Sequence, residues 1–360
     1  MGAVAWKRHE EAAMKALVFH GPGKRMWEEV PPPQLQAATD AVVQIDKVTI
    51  CGTDLHILNG DVPEVEPGRI LGHEAVGTVI ATGDAVTTVK RGDRVLISCI
   101  SACGRCRYCR ASAFGQCLGG GGWILGHLID GTQAEQVRVP FADTSAYKLP
   151  DLVSAEGALM LADILPTAYE VGVLNGEIRP GDTVAVVGSG PIGLAAIVTA
   201  QLYSPSHIVA IDKASTRLEA AKGFGADVVV NNTADDPRPV IAELTGVLGA
   251  DVAIEAVGVP ESFELCTRLV RPGGHVANVG VHGKPATLHL EDLWIRNVTI
   301  TTGLVDTYST PDLLSMLATG RLDAERFITH RFGLDEMTAA YDVFAHSQDT
   351  GALKVVLSGS

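Results

Sequence analysis

From Met14 to about Pro150 the apolar residues come in short β-type runs, KALVF, AVVQIDKVTI, EAVGTVIATG, DRVLIS and AEQVRVP, separated by Gly, Pro and Asp. Short runs bounded by turn residues predict an antiparallel, barrel-like domain. From about Leu165 the period changes. The runs TVAVVG, HIVAID, DVVVN, DVAIEAVG, HVANVG and VTITTG now alternate with helical stretches such as STRLEAAKGFG, PVIAELTGVLG and ESFELCTRLV. Six strands with intervening helices predict an α/β fold with a doubly wound parallel sheet. After about Val305, a helix at PDLLSMLATG and strand-like ITHRF and ALKVVL are expected to carry the chain back to the first unit. The expected divisions are an N-terminal extension over 1–13, a barrel-like domain over 14–164, the parallel-sheet domain over 165–305 and a C-terminal return over 306–360.

Composition narrows the functional classes. With 46% hydrophobic and 19% charged residues over 360 positions, the chain is globular and long enough for two cores. Lys and Arg number 28 against 42 Asp and Glu, a net charge of −14 with no basic block, so a nucleic-acid partner is not expected. The longest uncharged run, Thr183 to Ala200, is interrupted by Gly188, Gly190, Pro191 and Gly193, and reads as a strand, a turn and a helix rather than a membrane span. The opening MGAVAWKRHEEAAM has no apolar stretch of signal-peptide length, so a cytoplasmic protein is expected. Five of the seven cysteines crowd between Cys99 and Cys117, a density that suits metal binding in a reducing compartment better than a disulfide framework.

The turn Gly188-Ser189-Gly190-Pro191-Ile192-Gly193 follows a predicted strand and opens a predicted helix. Such a turn offers backbone N–H groups and a helix N-terminus to a pyrophosphate. Asp212 closes the next strand, where a carboxylate can accept hydrogen bonds from both hydroxyls of an adenosine ribose and would repel a 2′-phosphate. This favours NAD over NADP, while Lys213 and Arg217 just beyond soften the preference. A glycine turn that only packs helix on sheet, with Asp212 solvated, is the plainer alternative.

Two groups of metal-ligating residues stand out. Cys103, Cys106, Cys109 and Cys117 follow the pattern C-x2-C-x2-C-x7-C. Four thiolates close a tetrahedral shell around zinc, leaving no position for substrate; an iron–sulfur cluster uses the same ligand type. Cys99 and Cys266 fall outside the spacing and read as ordinary buried residues. The second group is dispersed: Cys51 in CGTDLH, His73 and Glu74 in GHE, and Asp163 in LADILPT. A thiolate, an imidazole and a carboxylate would leave a fourth zinc position open, as catalysis requires. Taken singly, Cys51 and His73 could be core residues, Glu74 a solvated charge and Asp163 a helix N-cap.

Through CGTDLH, GHE, the four-cysteine lobe, GSGPIG with Asp212, and the closing KVVL, the sequence from Met14 onward resembles the zinc-dependent medium-chain alcohol dehydrogenases. The resemblance implies a chaperonin-10-like catalytic domain, a Rossmann coenzyme domain and a cleft between them. It implies two Zn²⁺ per subunit, the catalytic one on Cys51, His73 and Asp163 with Glu74 beside it, the structural one on the four lobe cysteines. It also implies a proton relay through Thr53 to His56, with Asp54 orienting His73. Ile192, Thr167 and Val279 would line the nicotinamide, and Lys354 would lie near the pyrophosphate. Many family members carry a second cysteine where Asp163 stands. The string LADILPTAYE is similar to the aspartate-ligand branch, which includes glutathione-independent formaldehyde dehydrogenases and some secondary alcohol dehydrogenases.

The expected function is hydride transfer between a small alcohol and NAD. A formaldehyde dehydrogenase or aldehyde dismutase is the first alternative, and a non-enzymatic NAD- and zinc-binding protein the second. Leu58, Ile100, Trp123, His127 and Leu304 are candidate pocket walls. Family members are dimers or tetramers, and the apolar VTITTG strand could extend a sheet across a two-fold axis.

Overall fold

A computed structural model of the chain describes residues 13–359, so the expected N-terminal extension lies outside the described residues apart from Ala13. Met14 opens a strand as the pattern predicts. β1 (Met14–Phe19) and β2 (Arg25–Val30) form an antiparallel hairpin. The main sheet of the first domain is built on β3 (Ala41–Thr49), β4 (Ala75–Thr82), β5 (Arg94–Ile97), β6 (Gln136–Val139) and β7 (Ala146–Lys148). β3 pairs antiparallel with both β4 and β6, and its register shifts twice along β4, bending the strand as a barrel wall requires. The short helix Gly52–Asn59, which apolar spacing does not signal, turns the chain directly after β3.

The coenzyme-type domain holds β8 (Thr183–Val187), β9 (His207–Asp212), β10 (Val228–Asn231), β11 (Ala250–Glu255), β12 (Val270–Asn278) and β13 (Thr299–Thr302). All pairings are parallel, in the order β10-β9-β8-β11-β12-β13. Every residue of β8 is buried, as expected of a central strand covered by helices on both faces. The strand order reverses between β8 and β11, and that crevice at the carboxyl ends of the strands is where ligands bind in such sheets.

After β13 the chain comes back to the first sheet. β14 (Ile328–Gly333) and β15 (Lys354–Ser358) pair with each other, and β15 then pairs with β3, completing a seven-stranded sheet. Val76 and Leu96 of the first sheet share one buried cluster with Val184, Val186 and Val356, so the core is continuous from one domain to the other. Among the described residues, no helix is long and apolar enough to cross a membrane.

Candidate active site

β3 ends at Thr49, and the next residues place Cys51 at the N-cap of the Gly52–Asn59 helix. Asp54, in that helix's first turn, accepts the Cys51 N–H at 2.9 Å, which fixes the sulfur's direction. His73 and Glu74 precede β4, and Asp163 precedes the turn Ile164–Thr167. The fold brings these dispersed residues together: ligand atoms of Cys51, His73, Glu74 and Asp163 all lie within 4.8 Å of one another. Cys51 Sγ is 3.5 Å from Asp163 Oδ2, and His73 Nε2 is 3.5 Å from the same oxygen. Asp163 stands at a helix N-cap position but caps nothing with its side chain, which settles the plainer alternative against capping.

The electrostatics of the cluster fit a cation. Burial pushes the Cys51 thiol up, and the Asp163 carboxylate beside it pushes further the same way. Burial opposes a charged His73, yet hydrogen bonding to Asp163 and Cys51 raises the ring well above its ordinary value. Burial also opposes an ionised Asp163, but His73 holds it well below the usual carboxylate range. Sulfur, nitrogen and oxygen donors crowded in one half-buried place suit a zinc ion, which binds their deprotonated forms. Asp54, 1% exposed, faces His73 Nδ1 with Oδ1 at 3.7 Å, and that oxygen makes no hydrogen bond. It is placed to orient the ring behind the ligand set.

Glu74 and Lys354 form a buried ion pair. Both are 1% exposed, with Nζ 2.7 and 3.0 Å from the two carboxylate oxygens and 3.0 Å from the Ile50 carbonyl. Neither side chain is solvated, so the plainer alternative for each fails: Lys354 opens β15 inside the sheet next to β3, and its ammonium reaches the Glu74 carboxylate at the cluster. The Thr167 hydroxyl donates to Asp163 Oδ1 at 2.6 Å, which ties it to the cluster's carboxylate. Thr53 Oγ1 lies 3.6 Å from Cys51 Sγ, beside the cluster. His56 is exposed, with Nδ1 2.9 Å from Asp61 Oδ2.

Sequence reasoning missed three neighbours. Gln133, fully buried, donates to Asp54 Oδ2 at 3.0 Å and accepts from the Tyr341 hydroxyl at 2.7 Å. Cys99 is more than packing, since its sulfur stands 3.8 Å from Asp163 Oδ1. Burial, then Asp163, raises its thiol well above the ordinary value. Glu170 is described below. Nothing in the sequence marks these residues except polar character between apolar neighbours. Of the candidate wall residues, Trp123 stacks on His127 at 4.2 Å between centroids and meets His73 edge-on at 6.4 Å. Leu58 and Ile100 are buried, while Leu304 is exposed.

The lobe brings Cys103, Cys106, Cys109 and Cys117 within 4.8 Å of one another as free thiols. Its sulfurs accept backbone N–H groups: those of Cys109 and Leu118 on Cys106, and those of Cys103 and Gly119 on Cys117. These amides lower Cys106 to about 6, whereas burial and then the neighbouring Cys106 push Cys109 up to about 12. Four cysteine sulfurs gathered within one loop, with backbone amides directed at two of them, fit a metal ion.

At the coenzyme turn, Gly188 has φ +100°, and a side chain there would meet Val257 at 2.6 Å. A Cβ on Gly193 would fall 1.8 Å from the Gly188 carbonyl oxygen, so only glycine lets the helix Pro191–Ala200 start this close to β8. A Cβ on Gly190 would meet nothing within 4 Å, so that side of the turn has room for a pyrophosphate. Asp212 is buried rather than solvated, and accepts the Ser189 N–H at 2.7 Å and the Ala214 N–H at 2.8 Å. Ile192 lies in the first turn of that helix, and Val279 directly follows β12. Lys213 is exposed, and Arg217 reaches toward Ser347 Oγ at 3.5 Å.

Known proteins bear out this pairing of domains. Residues 37–151 match the alcohol dehydrogenase GroES-like domain, and residues 191–319 match the zinc-binding dehydrogenase domain. An alcohol dehydrogenase of Cupriavidus necator is 39% identical, covering 96% of this chain and 99% of its own. A zinc-dependent alcohol dehydrogenase from Streptococcus pneumonia, solved in its apo form, is 47% identical with a TM-score of 0.92, covering 96% of this chain and 99% of its own. The alcohol dehydrogenase TADH from Thermus sp. ATN1 superposes with a TM-score of 0.90 at 39% identity, covering 96% of this chain and all (100%) of its own. With agreement in both domains, nearly end to end, this chain belongs to the zinc-dependent medium-chain alcohol dehydrogenase family.

Proposed function

We propose that the protein moves a hydride between an alcohol and NAD, giving an aldehyde or ketone, and that each subunit carries two zinc ions. The observation that supports this best is the convergence of a sulfur, a nitrogen and an oxygen donor from Cys51, His73 and Asp163, with Glu74 beside them paired to Lys354. Zinc on those three ligands would supply the Lewis acidity that brings an alcohol's pKa toward neutrality. NAD at the glycine turn would take up the hydride.

The chain's own residues do the rest. Asp54 holds the His73 ring, and Thr167 holds one oxygen of Asp163. The Thr53 hydroxyl, beside Cys51, accepts the substrate proton, and His56 at the surface passes it to solvent. Asp212 spends one lone pair of each oxygen on backbone N–H groups, which fixes the carboxylate and leaves the others for ribose hydroxyls, favouring NAD over NADP. The four-cysteine lobe holds its ion as a structural element. Trp294 and Ile295 are 74% and 68% exposed just before the edge strand β13, and suit pairing with a second copy in a cytoplasmic dimer or tetramer.

Metal analysis with a screen of primary, secondary and aromatic alcohols tests the reading. Two zinc ions per subunit and alcohol-dependent NAD reduction are expected. A protein that is metal-free when fully folded and inert to every alcohol overturns it. Formaldehyde consumed without added coenzyme would identify a dismutase instead.

A further inference from the structure

Glu170 is a buried carboxylate with no part in the chemistry above, set in the segment Ala168–Leu174, whose backbone winds as a π-helix. π-type turns are uncommon and concentrate at functional sites. This one follows directly on the turn that carries Asp163 and Thr167. Glu170 Oε2 accepts the N–H groups of Asp306 and Thr307 at 2.9 and 3.0 Å. Its Oε1 accepts the N–H and the hydroxyl of Ser309 at 2.9 and 2.6 Å. Four donors converge on one carboxylate, and all four belong to the segment by which the chain leaves the coenzyme domain after β13.

That segment is gripped from the catalytic side too. The Thr307 hydroxyl is 2.9 Å from Ser98 Oγ, and its carbonyl accepts from the Tyr147 hydroxyl at 3.2 Å. Thr307 has φ +64°, a conformation unfavourable for a β-branched residue and sustained here by these contacts. Asp306 Oδ1 accepts the Gly115 N–H of the cysteine lobe at 2.8 Å. Ser98 precedes Cys99, whose N–H donates to the Ala162 carbonyl at 3.1 Å and whose sulfur faces Asp163. The hydrogen bonds therefore close a ring: Glu170 to Thr307, Thr307 to Ser98, then Cys99 back to the Ala162–Asp163 turn.

We propose that Glu170 is a positioning residue that sets the ligand Asp163 by locking the crossover segment Asp306–Ser309 in register, with the cysteine lobe joined to the same ring through Gly115. The proposal rests on the alcohol dehydrogenase reading and on Asp163 as a metal ligand. Glu170→Gln is the test, because an amide nitrogen would then face N–H donors. In the folded holoenzyme, kcat should fall about tenfold, short of the roughly hundredfold that a 1 Å displacement can cost. KM for NAD should stay unchanged, and the visible absorption of cobalt placed in the catalytic site should shift. Asp306→Ala, which cuts only the link to the lobe, should speed zinc release from the four cysteines to a chromogenic chelator several-fold; an unchanged rate overturns the lobe's place in the ring.

A folded Glu170→Gln protein with wild-type kcat and an unshifted cobalt spectrum overturns the proposal. Should that variant fail to fold, Ser309→Ala removes one of the four donors and should lower kcat about threefold with the same spectral shift; no change in either overturns it. A wild-type protein that takes no metal on Cys51 or reduces no coenzyme refutes the underlying reading instead, so the two failures are distinguishable.

Discussion

The four-cysteine lobe and the Cys51–His73–Asp163 cluster both offer donors to a divalent cation, but they are held in opposite ways. The lobe takes its ligands from one loop, and backbone amides of Cys103, Cys109, Leu118 and Gly119 point at its sulfurs. The other cluster draws from the end of β3, the approach to β4 and the turn before Ile164–Thr167, and is braced by side chains: Asp54, Gln133, Thr167 and the Glu74–Lys354 pair. A local cluster closes around its ion, so metal binding there is a contribution to folding. A dispersed cluster is shaped by the whole sheet, so on the proposed function the fold should tolerate loss of an ion there while the chemistry should not.

Breaking each side should separate the two. Cys51→Ser is expected to lose one zinc per subunit and to lower kcat on the order of a thousandfold, as removal of several kcal/mol of Lewis-acid stabilisation implies, with an unchanged circular dichroism spectrum. Full activity with full metal content would remove Cys51 from the ligand set. Lys354→Met leaves Glu74 buried without its partner and should cost about 3–5 kcal/mol in denaturant unfolding. The same pair carries a pH signature. Burial opposes the Lys354 charge, but Glu74 raises its pKa in the fold, so while Glu74, itself pushed up by burial, stays ionised, the lysine's contribution is fully present below its unfolded value of about 10.4 and is lost as pH rises through the folded one. Stability of the wild type should fall across that alkaline window, and the Met variant should show a flatter limb.

Cys106→Ser should lower the melting temperature by about 5 °C or more while sparing kcat per folded, catalytically metallated subunit, the reverse of Cys51→Ser. An unchanged melting temperature with unchanged metal content would count against a structural ion in the lobe. The smallest effect is expected at Asp212→Gly, about tenfold in the NAD to NADP ratio of kcat/KM, because the carboxylate also braces the turn through Ser189. A constant ratio would show that Asp212 does not read the ribose.

The contrast also explains what could be read from the chain. The lobe and the glycine turn were legible because their residues are sequence neighbours with spacing set by local geometry, and the parallel sheet because continuous apolar runs mark buried central strands such as β8. Cys51, His73 and Asp163 were legible only as members of a family pattern, since nothing local says that they meet. The burial of Lys354 was not legible for a physical reason: a lysine opening a final strand is normally solvated, and its partner Glu74 lies far upstream, just before β4. The Gly52–Asn59 helix went unseen because its first residues follow the needs of the cluster rather than an apolar stripe. Met337–Ala345 was missed although Met337, Ala340, Tyr341 and Phe344 bury one helical face.

β15 sets an order on how the molecule comes into being. The coenzyme domain is continuous from β8 to β13 and can close as soon as it leaves the ribosome, whereas the catalytic sheet lacks an inner strand until Lys354–Ser358 arrives. Until then Glu74 waits beside the cluster without its cation, and the flank of β3 that β15 covers stays open to other strands. The candidate active site is thus finished last, by the same lysine that pairs with Glu74.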